Sequence, residues 1–338
     1  MQAWQIVSDK GIDHLELTTR AQPEPNVGQV RVNVKATALN FRDLLTVTDP
    51  VSRKLPYPRI PNSDGAGVVT AVGPNVKNFK VGDHVMGCFF QNWLDGPCTQ
   101  ESMNSALGGA LDGMLATEVC LNEAGIVQKP SHLSFVEAST LPCAALTAWN
   151  ALTEAGQLKA GQTVLLLGTG GVSIFALQFA KMMGARVIII SSSDEKLSRA
   201  AKMGADICIN YVDNPQWHEQ VLHETNQEGV DLTVEVGGAG TLERSLLATK
   251  VGGTIGLIGV LTEGAINPNI ILRKSIRING IYVGSRRMFL DMNKALVLAG
   301  IHPVIDHVVP FEQAPHAFHA LKSARHFGKI VIEIPQDS

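Results

Sequence analysis

Residues 165–180 read LLLGTGGVSIFALQFA and set Gly168, Gly170 and Gly171 between an aliphatic run and an amphipathic one. Glycines in a strand-to-helix turn let the backbone come close to a pyrophosphate. The helix start, with Val172 in its first turn, then offers unpaired N–H groups and a positive dipole end to that anion. The third glycine of the usual fingerprint is Ser173 here. After the next aliphatic run, where an NAD site places a carboxylate for the ribose 2′-hydroxyl, stand Ser191, Ser192 and Ser193, with Lys196 one helical turn on. Hydroxyls and an ammonium suit a 2′-phosphate, which a carboxylate would repel. The expectation is NADPH in preference to NADH; Asp194 folding back onto the ribose would reverse it.

Such a turn needs a sheet behind it. Near-continuous runs of Val, Ile and Leu at 163–168, 186–191, 207–211, 231–238, 253–260 and 276–284 are what parallel strands buried on both faces require. Helical segments between the early runs imply a right-handed, doubly wound sheet. The first third differs. Residues 29–40 alternate apolar and polar with the period of a half-buried strand, and 65–73 and 82–88 repeat the theme between turn signals. Residues 91–113, rich in Asn, Asp, Gly and Ser, read as a long loop, either a substrate lid or an interface element. From Ser134 the pattern is helical, with Glu137 completing a capping box and Pro142 marking a break. A helix over 288–299 and a closing strand end the chain. The fold class expected is α/β, a doubly wound parallel sheet beside a β-rich domain.

A chain of 338 residues with 45% hydrophobic content suffices for two domains with their own cores. A net charge of −3 with both signs interspersed argues against nucleic acid or a membrane surface as partner and leaves a small-molecule substrate. Five cysteines without a C-x-x-C pair suggest reduced thiols. Residue 4 already lies in an alternating apolar segment, so no signal peptide is expected, and no apolar run approaches the ~18 residues of a membrane span. A cytoplasmic protein is the expectation.

Four segments together carry a resemblance: Gly-Thr-Gly-Gly-Val-Ser at 168–173, VGDHVMG at 81–87, LPCAALTAWNAL at 141–152 and NFRDLL at 40–45. The chain resembles the medium-chain dehydrogenase/reductase superfamily over essentially its whole length, most closely the alcohol-dehydrogenase-like and quinone-oxidoreductase-like members. The resemblance implies a GroES-like catalytic domain over 1–126 and 287–338 and a Rossmann domain over 127–286. In zinc members of that family a Cys, a His and a second Cys hold the catalytic metal; the matching positions here are Asn40, Ser63 and Cys143, with Asp64 where a Glu follows the His. The structural zinc of such enzymes takes four cysteines from the segment that here is 91–113 and contains Cys98 alone. Zinc needs three protein ligands at a catalytic site and four at a structural one, so no zinc is expected.

The resemblance also assigns cofactor roles. Thr147 matches a threonine near the nicotinamide ribose, Lys329 a basic position near the cofactor phosphates, and Tyr211 and Lys196 positions used by a 2′-phosphate. Gly259, Val260, Val283 and Gly284 end strands five and six, where backbone groups would meet the cofactor and its carboxamide. Each has a plainer alternative, such as a helix threonine bonded to its own backbone or a solvated surface lysine. Asn40 is a candidate to hydrogen-bond the nicotinamide or a substrate carbonyl, with Asp43 and Ser63 as further candidates; Arg42 and Asp43 could equally stabilise the turn.

Without a metal there is no Lewis acid to polarise an alcohol oxygen. Hydride transfer needs the cofactor's C4 held close to an electrophilic carbon, the protein supplying position and electrostatics. Activated substrates fit that: enones, enals, 2-enoyl thioesters and quinones. The expectation is a zinc-independent, NADPH-dependent reductase, with a metal-free alcohol dehydrogenase or carbonyl reductase as the alternative and a non-catalytic NADPH-binding sensor or structural protein as a third reading. Water, Tyr57 and Ser63 all stand open as proton donor. The segment 276–284 would be an exposed sheet edge, and a homodimer through it is expected, with a tetramer possible.

Overall fold

The computed structural model describes residues 1–259 and 261–334. Among them the first strands are β1 (Gln2–Ile6), β2 (Leu15–Thr19), β3 (Gln29–Ala38), β4 (Asp64–Val72), β5 (His84–Gly87), β6 (Glu118–Asn122) and β7 (Ile126–Gln128). Then come β8 (Thr163–Leu167), β9 (Arg186–Ser191), β10 (Ile207–Asn210), β11 (Val230–Glu235), β12 (Thr249–Leu257) and β13 (Arg277–Gly280). β14 (Ile305–Pro310) and β15 (Lys329–Glu333) are last. No helix of the described residues is long and apolar enough to cross a membrane.

The chain divides into two compact units, Met1–Leu146 with Gly284–Ser338, and Thr147–Val283. This corrects the sequence-based boundaries at 126/127 and 286/287. Residues 127–146 stay with the first unit because the helix Phe135–Ala138 packs on β3, β4 and β15, and the π-helical turn Leu141–Ala145 packs on β4. The expected capping box is present at that helix: the Glu137 N–H donates to Ser134 Oγ at 3.1 Å, and the Ser134 N–H to Glu137 Oε2 at 2.8 Å.

In the second unit the strand order is β10-β9-β8-β11-β12-β13, all parallel. The order reverses between β8 and β11, and in open α/β sheets that crevice, at the carboxyl ends of the strands, is where ligands bind. The aliphatic runs behave as both-face-buried strands: Val164–Leu166 and Val187–Ile189 are wholly inaccessible. Three strands end at least three residues earlier than the sequence suggested. β11 stops at Glu235, β12 at Leu257 and β13 at Gly280, so 236–238 and 281–284 are connections and Gly259 lies beyond its strand.

In the first unit the sheet runs β14-β15-β3-β4-β5-β7, with β6 paired to the amino-terminal half of β3. Val30, Val32 and Val34 of β3 point into a core that also takes Phe311 and Phe318. The carboxyl end of β3 is flanked on both sides. Ala38 lies opposite Asp64 of β4 and Val331 of β15, and the Leu39 N–H donates to Ile330 O at 3.0 Å. The last residues of β3 and the first of β4 and β15 are thereby brought side by side.

The segment 91–113 is not one free loop. It contains the short helix Gln100–Met103. Trp93 O and Leu94 O accept the N–H groups of Arg286 and Arg287, which open the helix Arg286–Ala299. Its far end lies against the backbone at Asn62, where Gly108 and Gly113 allow a close approach. A Cβ on Gly113 would sit 2.1 Å from Asn62 O and 2.2 Å from Pro61 O. Gly113→Ala should therefore cost about 2–3 kcal/mol or more of stability. Gly280→Ala, with no atom within 4 Å of the added carbon, should cost less than about 1 kcal/mol. Urea unfolding of the two variants checks this; equal effects would contradict the packing described.

Candidate active site

Beyond β3 the chain turns at Leu39 and Asn40 into the helix Phe41–Thr48. Asp43, wholly buried, accepts the Asn40 backbone N–H on Oδ2 at 2.9 Å and the Arg42 guanidinium on Oδ1 at 3.0 Å. Both its oxygens hold the turn. Arg42 also donates to Leu107 O at 2.8 Å and stands 5.0 Å over the Phe89 ring, which fastens the 91–113 segment to this turn.

Lys329, the first residue of β15, is only 3% exposed and donates to Leu39 O and to Asn40 Oδ1, both at 2.6 Å. An ammonium can only donate, so the amide oxygen of Asn40 faces the lysine and its Nδ2 reaches Ser63 Oγ at 3.4 Å. The Ser63 hydroxyl donates to Asp64 Oδ1 at 2.7 Å, and Asp64 Oδ2 accepts the Cys143 N–H at 3.0 Å from the π-helical turn. Thr37 Oγ1 donates to the Asp64 carbonyl at 2.5 Å and accepts from Asn62 Nδ2 at 3.2 Å. Asn40, Asp43 and Ser63, proposed from sequence, are thus gathered with Asp64, Cys143 and Lys329 into one network. The lysine is not a solvated surface residue.

Burial pushes the Asp64 carboxyl up to about 6; the Lys329 charge works against that, Asp43 adds to it, and hydrogen bonds from Ser63 and Asn40 oppose it. Burial, and then the neighbouring Asp64 charge, push the Cys143 thiol far above its ordinary value, so it stays protonated at neutral pH.

In the second unit the glycine turn has the form the sequence implied. Gly168 has φ +72°, and no atom lies within 4 Å of a Cβ built on Gly168 or Gly170. Gly170 caps the helix Gly171–Met182 without any side-chain hydrogen bond, so the first-turn N–H groups, Val172 included, have no side-chain partner at the cap. Those features fit a pyrophosphate. Ser173 replaces a glycine by donating its hydroxyl to Leu167 O at 2.5 Å, tying helix to strand.

The three serines differ. Ser191 is buried with Oγ 3.5 Å from Thr169 Oγ1, Ser193 caps the helix Asp194–Lys202 by accepting the Lys196 N–H, and Ser192 is exposed. Tyr211, 40% exposed, follows β10, and its N–H donates to Ser191 O at 3.1 Å. Asp194 accepts from Asn210 Nδ2 at 2.8 Å.

Thr147 is buried in the helix Leu146–Leu152. Val283 is buried at φ +59°, a strained value for a β-branched residue, and its carbonyl accepts from Asn150 Nδ2 at 2.8 Å. Gly259 lies so close to Val236 that a Cβ would sit 1.6 Å from Val236 O. Gly284 falls in the first unit, against Leu146 and Met288. Val260 lies outside the described residues. Sequence reasoning missed Glu235, wholly buried at the end of β11, where it accepts from Gly237, Gly238, Thr241 and Ser245. The available signal was an acid at the carboxyl end of the strand segment DLTVE.

Residues 26–131 match the alcohol dehydrogenase GroES-like domain family, and 171–298 the zinc-binding dehydrogenase family. The chain is 44% identical over 340 residues to a zinc-type alcohol dehydrogenase-like protein of Schizosaccharomyces pombe, a match covering 97% of this chain and 98% of that one. The chain belongs to the medium-chain dehydrogenase/reductase superfamily. This medium-chain oxidoreductase is also 32% identical over 343 residues to 2-methylene-furan-3-one reductase of Solanum lycopersicum, covering 98% of this chain and 79% of the other. Among solved structures it is similar to a protein assigned as an alcohol dehydrogenase from Sinorhizobium meliloti, with 42% identity, 98% of each chain covered and a TM-score of 0.92.

A zinc-binding family raises the question of the metal. Zinc takes thiolate, imidazole or carboxylate donors, three of them at a catalytic centre. At the three matched positions this oxidoreductase offers an amide oxygen held by an ammonium, a hydroxyl donating to a carboxylate, and a single thiol, Cys143. A cation arriving at Asn40 would meet the Lys329 charge. These residues do not fit a zinc centre.

The Asp64 carboxyl yields a pH prediction. Its folded value, about 6, lies above the ordinary 3.8, so between those pH values the folded chain holds a proton that the unfolded chain has lost. Its contribution to stability is therefore present at low pH and lost as pH rises through that window. The unfolding free energy of the wild type minus that of Asp64→Asn should fall by on the order of 3 kcal/mol between about pH 4 and pH 7 and then level off. Urea unfolding at several pH values measures it; a flat difference would contradict the assigned environment.

Proposed function

We propose that this oxidoreductase is a zinc-independent, NADPH-dependent reductase that transfers hydride to an activated carbon–carbon double bond or a quinone. The observation that carries the reading is the Lys329–Asn40–Ser63–Asp64 network, which commits to internal hydrogen bonds the positions that would hold a metal. NADPH, when bound, supplies the hydride. The chain's own residues supply position and charge: Gly168, Gly170, Gly171 and Val172 would receive the pyrophosphate, and Ser192, Lys196 and Tyr211 the 2′-phosphate. Thr147 and the backbone at Gly259 and Val283 would meet the nicotinamide end, with Lys329 left to the polar network. The engagement of Asp194 with Asn210 supports NADPH, because it occupies the carboxylate whose folding back onto the ribose would favour NADH.

An activated acceptor supports the same reading. A conjugated carbonyl is already electrophilic at carbon, so hydride can be delivered without Lewis-acid polarisation, and a tomato relative is named as a reductase of a methylene-furanone. Asn40 is the member of the network best suited to meet a substrate oxygen, with 8% of its surface accessible against none for Ser63. Proton delivery by water fits that burial better than delivery by Ser63. The free cysteines suit a cytoplasmic setting, and β13, at the edge of its sheet, is the surface we assign to a homodimer contact.

The test is oxidation of NADPH and NADH by the chelator-dialysed protein against enones, quinones, aldehydes and ketones. Turnover of enones or quinones that persists without metal and favours NADPH is expected. Activity restored only by zinc would overturn the proposal. Turnover confined to aldehydes and ketones would replace it with a metal-free alcohol dehydrogenase, and tight NADPH binding without turnover would replace it with a sensor.

A further inference from the structure

Glu235 takes no part in the chemistry above, yet it is a carboxylate with no accessible surface, placed where β11 leaves the sheet beside the reversal of strand order. Its Oε1 accepts the N–H groups of Gly237 at 2.7 Å and Gly238 at 3.1 Å and the Thr241 hydroxyl at 2.6 Å, and its Oε2 accepts the Ser245 hydroxyl. Its carbonyl accepts the N–H groups of Ile258 at 2.8 Å and Gly259 at 3.1 Å. Thr262 closes the same stitch from the other side. Its hydroxyl donates to Gly237 O at 3.1 Å and accepts the Gly240 N–H at 2.7 Å. The carboxylate thus sets the connection after β11 and the start of the helix Ala239–Ala248, while the backbone carbonyl of the same residue ties that connection to the residues after β12.

We infer that Glu235 is a positioning residue for the nicotinamide half of the dinucleotide. This rests on the dinucleotide reading proposed above. In a doubly wound sheet the two halves of a dinucleotide lie on the two sides of the strand-order reversal. The glycine turn after β8 and the serines after β9 stand on the adenosine side, and the connections after β11 and β12 stand on the other. Glu235 organises only the second set. No contact in its shell reaches Gly168, Ser192 or Tyr211, so its loss acts on one half of the ligand.

The role predicts a split that a general weakening of the fold does not give. Isothermal titration would compare NADPH with adenosine 2′,5′-bisphosphate, which carries the adenosine half alone, on the full chain. Two variants are used, Glu235→Gln, which keeps an acceptor, and Thr241→Val, which removes one hydroxyl and leaves the carboxylate. Glu235→Gln should raise the Kd for NADPH about tenfold and that for the bisphosphate less than about twofold, and Thr241→Val should show the same split at smaller size. Equal weakening of both ligands, or no change in either, would overturn the inference while leaving the dinucleotide reading intact. A wild-type chain that takes up neither ligand would overturn that reading and the inference with it.

Discussion

A carboxylate taken out of water costs several kcal/mol unless something answers its charge, and two of them, Asp43 and Asp64, lie wholly buried at one end of the seven-stranded sheet. Arg42 answers the first directly and Lys329 answers the second through the field it exerts. The arrangement of the surrounding backbone follows from that balance. Lys329 can stand there only because β15 begins beside the end of β3, and its remaining hydrogen bonds then fix Leu39 and the Asn40 amide. Asp64 in turn reaches out to Ser63 and to the turn that carries Cys143. Two acids and two bases make the cluster electrically neutral without a further cation. That neutrality is the physical reason its donors are poor candidates for a metal.

The second unit solves the same problem differently. Glu235 is answered, among the described residues, by the N–H groups of Gly237 and Gly238 and the hydroxyls of Thr241 and Ser245. The difference suits the tasks. A cation beside Asp64 sets a charge balance at the strand ends, whereas a ring of donors around Glu235 fixes the path of a glycine-rich connection. The strained Val283, held by Asn150, is a second place in this unit where side chains impose a backbone conformation that local preference opposes.

What was legible in the sequence was what is local. The capping box joins Ser134 to Glu137 three residues on, the glycine turn occupies four positions, and the aliphatic runs announce strands buried on both faces. The family's likeness made Asn40, Ser63 and Cys143 worth comparing. What could not be read were pairings set by register. Lys329 lies 289 residues from Asn40, and only the side-by-side placement of β3 and β15 reveals that it is buried. Three consecutive serines look equivalent in a string, yet one is buried beside Thr169, one caps a helix and one faces solvent. The loop composition of 91–113 gave no hint that Arg42 and the glycines at 108 and 113 fasten it to the strand end.

The cluster at the strand ends depends on the Lys329 ammonium stabilising the ionised Asp64 carboxylate. A double-mutant cycle of Lys329→Met and Asp64→Asn, followed by urea unfolding at pH 8 and pH 5, tests it most directly. At pH 8, where the carboxyl is ionised, Lys329→Met should cost at least about 1.5 kcal/mol more in the wild type than in the Asp64→Asn background. At pH 5, where Asp64 holds its proton, that coupling should shrink toward zero. Additive effects at both pH values would contradict the claim.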